Sequence, residues 1–193
     1  MTSTSATPPP GSPGAPGASR SSAASGAEGP REGIGLAAFN AMPDAQARDV
    51  LLGCCQAAHW AGQVAASRPY PSLAALLGQA GSALTDEDVS EALAGHPRIG
   101  QAPSRSHSAW SRGEQAGVAG SDDDVLAGLA AGNRAYEERF GHIYLVCAAG
   151  RGAGELLAIL RDRLRNDPGT ERQVVRGELR KINELRLTRL IGA

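Results

Sequence analysis

The stretch HIYLVCAAG, residues 142–150, decides the fold class of this 193-residue chain. Its short apolar run is as compatible with a buried β-strand as with a buried helix, because periodicity does not separate the two at this length. No other segment is a candidate to pair with it as a second strand, and an isolated strand is not stable. Only 4% of the residues are aromatic, so the core must consist of Leu, Ala, Val and Ile, which favours helices. We therefore predict an all-α fold, a compact single-domain bundle of several helices.

Helical patterns lie on both sides of this stretch. Downstream, residues 155–167 and 170–191 are amphipathic, and Asn166-Asp167-Pro168 separates them. Upstream, residues 121–141 begin with acidic side chains at the positive end of a helix and close on a glycine. These three segments predict three helices.

The first half of the domain is also predicted to be helical. Between Pro43 and Pro69, apolar residues near helical spacing predict a helix. Another helix is expected to open after Pro71. A further one is expected to start at Thr85, whose Thr-x-x-Asp pattern is a weak capping box, and to end at Gly95.

The N-terminal residues 1–33 differ from the rest in composition. They are rich in proline, glycine and serine and carry no core-forming pattern. Such a segment cannot bury enough apolar surface to offset the entropy lost on ordering it. We predict a disordered tail over 1–33 and one helical domain over 34–193.

Charge and cysteine content exclude several classes of partner. The net charge of −1 gives no basic field for nucleic acid or for an anionic membrane surface, and no apolar run is long enough to span a bilayer. The three cysteines show no zinc-binding spacing, and we interpret them as buried, reduced thiols of a cytoplasmic protein.

Two nearby clusters are candidates for chemistry. In GHPRIG, residues 95–100, Pro97 disfavours helix at His96 and leaves the imidazole just past a helix end, where it can exchange protons near neutral pH. In SRGEQ, residues 111–115, the side chains of Ser111, Glu114 and Gln115 project from one helical face. Spacing alone leaves open a simple helix cap at His96 and a capping box at Ser111. No histidine pair has metal-ligand spacing, so we predict no metal site.

A set of ordered motifs then identifies a family that the chain closely resembles, the 2-oxo-4-hydroxy-4-carboxy-5-ureidoimidazoline (OHCU) decarboxylases. The resemblance covers about residues 34–191. The motifs are FNAMP (39–43), CC and HWAG (54–62), RPY (68–70), HPRIG (96–100), SRGEQAGV (111–118), YEERFGHIYLVCAAGR (136–151), RLRNDP (163–168) and KINELRL (181–187). The resemblance implies an all-helical homodimer that needs neither a metal nor an organic cofactor and converts OHCU to (S)-allantoin, the last step of urate degradation.

The resemblance also implies roles for individual residues. His96 corresponds to the proton-transfer residue and Glu114 to its partner, while Arg186 corresponds to an arginine that binds substrate. The remaining substrate-binding positions are Pro97, Ser111, Gln115, Val146, Cys147, Ala148, Ala149 and Gly150, the last five through backbone groups. The charged neighbours Arg98 and Arg139 are interpreted as partners in helix-end salt bridges.

The chemistry implied by the resemblance needs no cofactor. The substrate has a carboxylate and a hydroxyl on one ring carbon beside a C=N bond, which accepts the electrons left by departing carbon dioxide. Two other functions stay open, a non-catalytic helical interaction module that kept the fold and a different cofactor-free ring lyase. The presence of both His96 and Glu114 argues against the interaction module.

Overall fold

A computed structural model describes residues 1–2, 33–100, 113–114, 116–118 and 121–192 of the chain. Over these residues the fold is all-α, as predicted, with no β-strand. The tail predicted for residues 1–33 lies almost wholly outside the described residues. The helices are α1 (Leu36–Ala41), α2 (Asp44–Cys54), α3 (Ala58–Ala66), α4 (Leu73–Ser82), α5 (Asp86–Ala94), α6 (Asp123–Phe140), α7 (Ala153–Arg163) and α8 (Pro168–Ile191), with a 3₁₀ turn, η1, at Ala116–Val118.

The helices enclose two hydrophobic cores. The first is built by α1 to α5 together with the long helix α8. Its largest side chain, Trp60, is fully buried and donates its indole N–H to the carbonyl of Ala80 at 2.8 Å, so the polar end of the ring is satisfied. The second core lies between α6 and α7 and includes Ile99 and Val118.

Residues 143–149, the extended segment, separate the two cores. They belong to no helix, and their side chains alternate between the cores in the period of two that is typical of an extended chain. The odd-numbered residues Ile143, Leu145, Cys147 and Ala149 pack in or against the first core, and Tyr144, Val146 and Ala148 in the second. The apolar run is therefore extended over residues 143–148 and turns at 149–150, and it pairs with no strand in the described part of the chain.

The predicted helix boundaries are confirmed where a capping residue marks them. Thr85 and Asp88 form a reciprocal capping box at the start of α5. Gly141 ends α6 with φ 77°, a left-handed conformation that glycine adopts without strain. Asp167 accepts hydrogen bonds from the N–H groups of Gly169 and Thr170, and Pro168 occupies the first position of α8.

The helix predicted between Pro43 and Pro69 is in fact two helices, α2 and α3. Cys55 is extended (φ −144°, ψ 118°), and the chain re-enters helix only at Ala58. Tertiary contacts stabilise this break, because carboxylates of α5 accept the first N–H groups of α3. Asp88 accepts from Trp60 at 3.0 Å and Glu91 from Ala58 at 3.2 Å. Spacing alone did not reveal these caps on another helix.

Candidate active site

A pocket opens where the end of α5, the Glu114 segment, the extended segment and α8 meet. The lining residues are His96, Pro97, Ile99, Glu114, Tyr144, Leu145, Val146, Ala148, Ile182 and Arg186.

The orientation of the His96 ring is set by the last turn of α5. Its Nδ1 lies 2.7 Å from the carbonyl oxygen of Ala92. Because a carbonyl only accepts, Nδ1 carries the hydrogen, and in the neutral ring the lone pair is then on Nε2. Nε2 is buried, and the ring lines the pocket beside Pro97. This arrangement presents one basic nitrogen in a fixed direction.

Glu114 and Arg186 form a buried, bidentate ion pair in the pocket wall. Arg186 donates from Nε and Nη2 to the two carboxylate oxygens of Glu114 at 2.8 and 2.7 Å. The side chains of Arg186 and Glu114 are only 4% and 10% exposed. Arg186 also donates from Nη1 to the carbonyl of Cys54 at 2.8 Å, which ties the pair to the end of α2. The parallel geometry fixes both groups more firmly than a single contact would.

Close backbone packing holds the segment that carries Glu114 against the other side of the site. Gly117 of η1 lies so near the turn after the extended segment that a Cβ on it would be 2.3 Å from the carbonyl oxygen of Arg151. Only glycine fits there without displacing backbone. Gly113, just before Glu114, has open space around the corresponding position.

The extended segment is held from behind by charged side chains. Arg163 of α7 donates to the carbonyl of Leu145 at 2.6 Å, and Glu178 of α8 accepts from the N–H of Cys147 at 2.8 Å. These contacts supply the partners that a neighbouring strand would otherwise give. Within the described part of the chain, the backbone N–H and C=O of Val146 have no protein partner.

Arg163 belongs to a buried polar network with Glu171, which is fully buried. Arg163 donates to Glu171 Oε1 from Nε at 2.8 Å and from Nη2 at 2.5 Å, and Tyr136 donates its hydroxyl to the same oxygen. Burial acts to lower the pKa of Arg163, but the hydrogen bonds to Glu171 outweigh it and the net shift is upward. The guanidinium therefore stays charged.

Six of the predicted site residues line the pocket together: His96, Pro97, Glu114, Val146, Ala148 and Arg186. Cys147, Ala149 and Gly150 lie on the same stretch of chain but not in the lining, and the N–H of Cys147 is bonded to Glu178. Ser111 and Gln115 lie outside the described residues. Arg98 forms the expected salt bridge at a helix end, with Glu137 in the last turn of α6. Arg139 makes no such bridge to any residue that the structure describes; it donates to the carbonyl of Asn166.

Four lining residues were missed by the motifs: Ile99, Tyr144, Leu145 and Ile182. Ile182 precedes Arg186 by four residues, so helical spacing could have placed both on one face. Tyr144 and Leu145 directly precede the VCAAG run, and an extended chain would have placed them beside it. For Ile99 the sequence offers only its place in HPRIG.

The three cysteines are buried and carry no disulfide. Burial raises the pKa of Cys54 to about 12 and that of Cys55 to about 11, and it also raises the pKa of Cys147. A thiol with a raised pKa is a poor nucleophile at neutral pH. The interpretation of these residues as buried thiols therefore agrees with the structure.

Among the described residues, no group of three or more His, Cys, Asp or Glu side chains is placed to hold a metal ion. Among the described helices, none is long and apolar enough to cross a membrane.

Comparison with known sequences agrees with this geometry. The family model for OHCU decarboxylase matches residues 40–188. The uric acid degradation bifunctional protein TTL of Arabidopsis thaliana is 34% identical over 147 residues, 72% of this chain and 45% of its own length. The 2-oxo-4-hydroxy-4-carboxy-5-ureidoimidazoline decarboxylase of Amia calva is 41% identical over 85 residues, 43% of this chain and 49% of its own. The matches thus span less than half the length of both relatives.

Solved structures give the same answer. The crystal structure of an OHCU decarboxylase in the presence of (S)-allantoin superposes with a TM-score of 0.66 at 31% identity, over 75% of this chain and 99% of that one. A crystal structure of (S)-allantoin synthase, 19% identical, has a TM-score of 0.62 over 82% of this chain and 54% of its own, and shares the fold. The family model spans most of the described domain. The chain belongs to the OHCU decarboxylase family.

Proposed function

We propose that this protein decarboxylates OHCU to (S)-allantoin, the last step of urate degradation, without a metal or organic cofactor. The observation that carries the proposal is the pocket in which His96, held by the Ala92 carbonyl, and the paired Glu114 and Arg186 converge. Membership of the family supports it, and so do the names of the relatives, which describe an OHCU decarboxylase and a uric acid degradation protein.

The reaction suits a site that moves protons and supplies no electrons. The bond between the ring carbon and the carboxylate breaks, carbon dioxide leaves, and the electron pair passes into the adjacent C=N, whose nitrogen takes a proton. The hydroxyl proton then departs as a carbonyl forms, and a proton is added to the neighbouring ring carbon. The net change is the uptake of one proton and the loss of carbon dioxide. The substrate is thus its own electron sink.

His96 is the proton-transfer residue in this proposal. Because Nδ1 is engaged with the Ala92 carbonyl, Nε2 of the neutral ring is the basic atom and acts from one direction. Delivery from one direction gives a single product enantiomer. Proton transfer by a positioned group of this kind contributes about 10²–10⁴-fold, and positioning supplies the rest.

Glu114 and Arg186 act as a unit beside His96. In the proposal, Glu114 orients the substrate or holds a proton together with His96. Arg186 fixes the Glu114 carboxylate through its two hydrogen bonds and attracts the substrate carboxylate with its positive charge. Removal of either residue of the pair is therefore expected to disturb the other.

Substrate amides are bound by backbone groups in the proposal. Val146 lines the pocket, and among the described residues its N–H and C=O have no protein partner; a buried backbone group of this kind is stabilised when a ligand bonds to it. Pro97, Ser111, Gln115, Ala148, Ala149 and Gly150 complete the proposed binding set, whereas the N–H of Cys147 is bonded to Glu178 and positions the segment.

The proposal is tested with OHCU generated freshly from urate, by following the circular dichroism of the allantoin formed. The wild-type protein is expected to give (S)-allantoin. His96→Ala should slow the reaction by about 10²–10⁴-fold, and the residual product should be racemic because the uncatalysed decay of the substrate gives both enantiomers. His59→Ala is the matched control, because His59 is half-exposed and does not line the pocket.

Three results separate the candidate functions. Optically pure product at the wild-type rate from His96→Ala would remove His96 from the mechanism. No turnover of OHCU by the wild-type protein, but turnover of another ring acid, would favour a different lyase. No turnover of either, with the fold intact, would favour a non-catalytic module.

We also propose, from the family resemblance, that the protein is a cytoplasmic homodimer. Light scattering coupled to size exclusion tests the dimer, whose mass would be twice the 19.7 kDa of the chain. Imaging of a tagged full-length protein in the native cell tests the location. A monomer mass at working concentration would refute the dimer.

A further inference from the structure

The extended segment has two backbone edges with different partners. In an extended chain, the N–H and C=O groups of residues i and i+2 point to one edge and those of residue i+1 to the other. Leu145 and Cys147 therefore share one edge, and their bonds to Arg163 and Glu178 are both on it. The Val146 groups are on the opposite edge, and Val146 lines the pocket. Protein bonds on the first edge thus set where the second edge lies.

The two charged side chains that hold the first edge differ in their surroundings. Arg163 is committed to the buried pair with Glu171, so its removal would disturb the second core. Glu178 has no comparable role, because its other partner is Lys181, whose side chain is 57% exposed. Glu178 can therefore be changed without unpairing a buried charge.

The position of Glu178 on α8 links it directly to the pocket. Glu178, Ile182 and Arg186 are spaced four residues apart and lie on one face of the helix. Ile182 and Arg186 line the pocket, while Glu178 bonds the N–H of Cys147 at 2.8 Å. The same helical face thus supplies part of the lining and the anchor of the opposite wall.

The carboxylate of Glu178 is a strong acceptor at neutral pH. Burial acts to raise its pKa, but the hydrogen bonds from Lys181 and from the N–H of Cys147 outweigh it, and the pKa lies below its usual value. The group is therefore ionised, and its Oε2 accepts from the Cys147 N–H at 2.8 Å, a distance that a neutral acceptor of the same reach also provides.

We propose that Glu178 is a positioning residue, which holds Cys147 so that the Val146 N–H and C=O face the ligand. It touches no substrate itself. The inference rests on the proposed function, because it assigns to Glu178 the alignment of the backbone edge to which the ureido and ring amides of the ligand bond. The reach of its carboxylate is what matters, and its charge matters less.

Two conservative variants separate reach from charge. Glu178→Gln keeps the length of the side chain and an acceptor oxygen but loses the charge, whereas Glu178→Asp keeps the charge and is one methylene shorter. Lys181→Met is the control, because it removes only the second partner of Glu178. We expect Glu178→Gln and Lys181→Met to keep the wild-type KM for OHCU and the wild-type Kd for (S)-allantoin, whatever their effect on stability.

Glu178→Asp should raise KM for OHCU and the Kd for (S)-allantoin about tenfold, the factor expected when one or two hydrogen bonds are misaligned. Its kcat should change less than twofold and the pH profile should not move, because a uniform binding contact is lost and no proton-transfer group is altered. Stopped-flow dichroism gives the kinetic constants, and calorimetry with (S)-allantoin as the stable probe gives the Kd.

Amide NMR of the ligand-free protein reports the position of the extended segment independently of turnover. The resonances of Val146 and Cys147 should move in Glu178→Asp and much less in Glu178→Gln. If they move and the wild type neither binds (S)-allantoin nor turns over OHCU, the proposed function fails while the anchoring stands. Unmoved amides in Glu178→Asp, or wild-type KM and Kd in that variant, would overturn the positioning role, as would a larger defect in Glu178→Gln.

Discussion

The ion pair between Arg186 and Glu114 should be strongly coupled, and a double-mutant cycle measures this coupling. The pair is bidentate and almost fully buried, with the Arg186 side chain 4% exposed and the Glu114 side chain 10% exposed. Arg186→Met would leave the Glu114 carboxylate without this partner at a buried site, which costs about 3–5 kcal/mol of unfolding free energy. Glu114→Gln would leave the guanidinium without its charged acceptor and is expected to cost a similar amount. In Arg186→Met/Glu114→Gln neither charge remains, so the loss should be smaller than the sum by about 2 kcal/mol or more.

Urea unfolding followed by helical circular dichroism gives the four free energies. The matched control is the cycle on Arg98 and Glu137, which form the same bidentate pair. Arg98 donates to the two Glu137 carboxylate oxygens from Nε at 2.5 Å and from Nη2 at 2.8 Å. Its side chains are 44% and 28% exposed, so solvent screens the pair and its coupling should stay below about 1 kcal/mol. If the Arg186 and Glu114 losses add within about 0.5 kcal/mol, or if both cycles give the same coupling, burial does not govern the pair as argued.

Three further outcomes follow from the same contacts. Burial raises the pKa of Cys54 to about 12 and that of Cys55 to about 11. Both thiols should therefore react with a disulfide reagent at pH 8 only after the protein unfolds. Rapid reaction in the native state would contradict their burial. Burial acts to raise the pKa of Asp88, but hydrogen bonds from Thr85, His59 and Trp60 outweigh it and the pKa lies below its usual value. The unfolding free energy lost in Asp88→Asn should therefore be largest above about pH 5 and should decrease as the pH falls through the folded-state pKa of Asp88. A loss that increases in acid would contradict this pH dependence. Gly117→Ala should lower stability by about 1–3 kcal/mol and reduce turnover, while Gly113→Ala, with open space around it, should do neither; equal effects would show that the close approach to Arg151 is unimportant.

Helix ends could be predicted from the sequence wherever a local residue caps them. Thr85, Gly141 and Asp167 mark ends that the structure confirms. The break between α2 and α3 could not be predicted, because its caps come from Asp88 and Glu91 on another helix. The carbonyl of Cys54, in the last residue of α2, similarly accepts from Arg186, far along the chain. Contacts of this kind become visible only when the helices are packed.

The site was partly predictable for the same reason. The motifs predicted His96, Glu114 and Arg186 as site residues, and the structure places all three in one pocket. Their pairing was not predictable: Glu114 was expected beside His96, and its bonds in the structure are to Arg186. A substitution at Arg186 should consequently affect folding as well as binding, because the guanidinium holds both Glu114 and the end of α2.

The extended segment explains how a helical protein can offer backbone groups to a ligand. Inside a helix each N–H and C=O bonds to the next turn, so a purely helical wall presents only side chains. An extended chain has one edge to spare if the other edge is satisfied, and here no strand is present in the described residues to do so. Arg163 and Glu178 take the place of that strand at Leu145 and Cys147. Burying two charged groups is unfavourable unless each is paired, and Glu171 and Lys181 supply the pairs. In the proposed function, these charges behind the pocket allow one peptide edge, at Val146, to face the ligand.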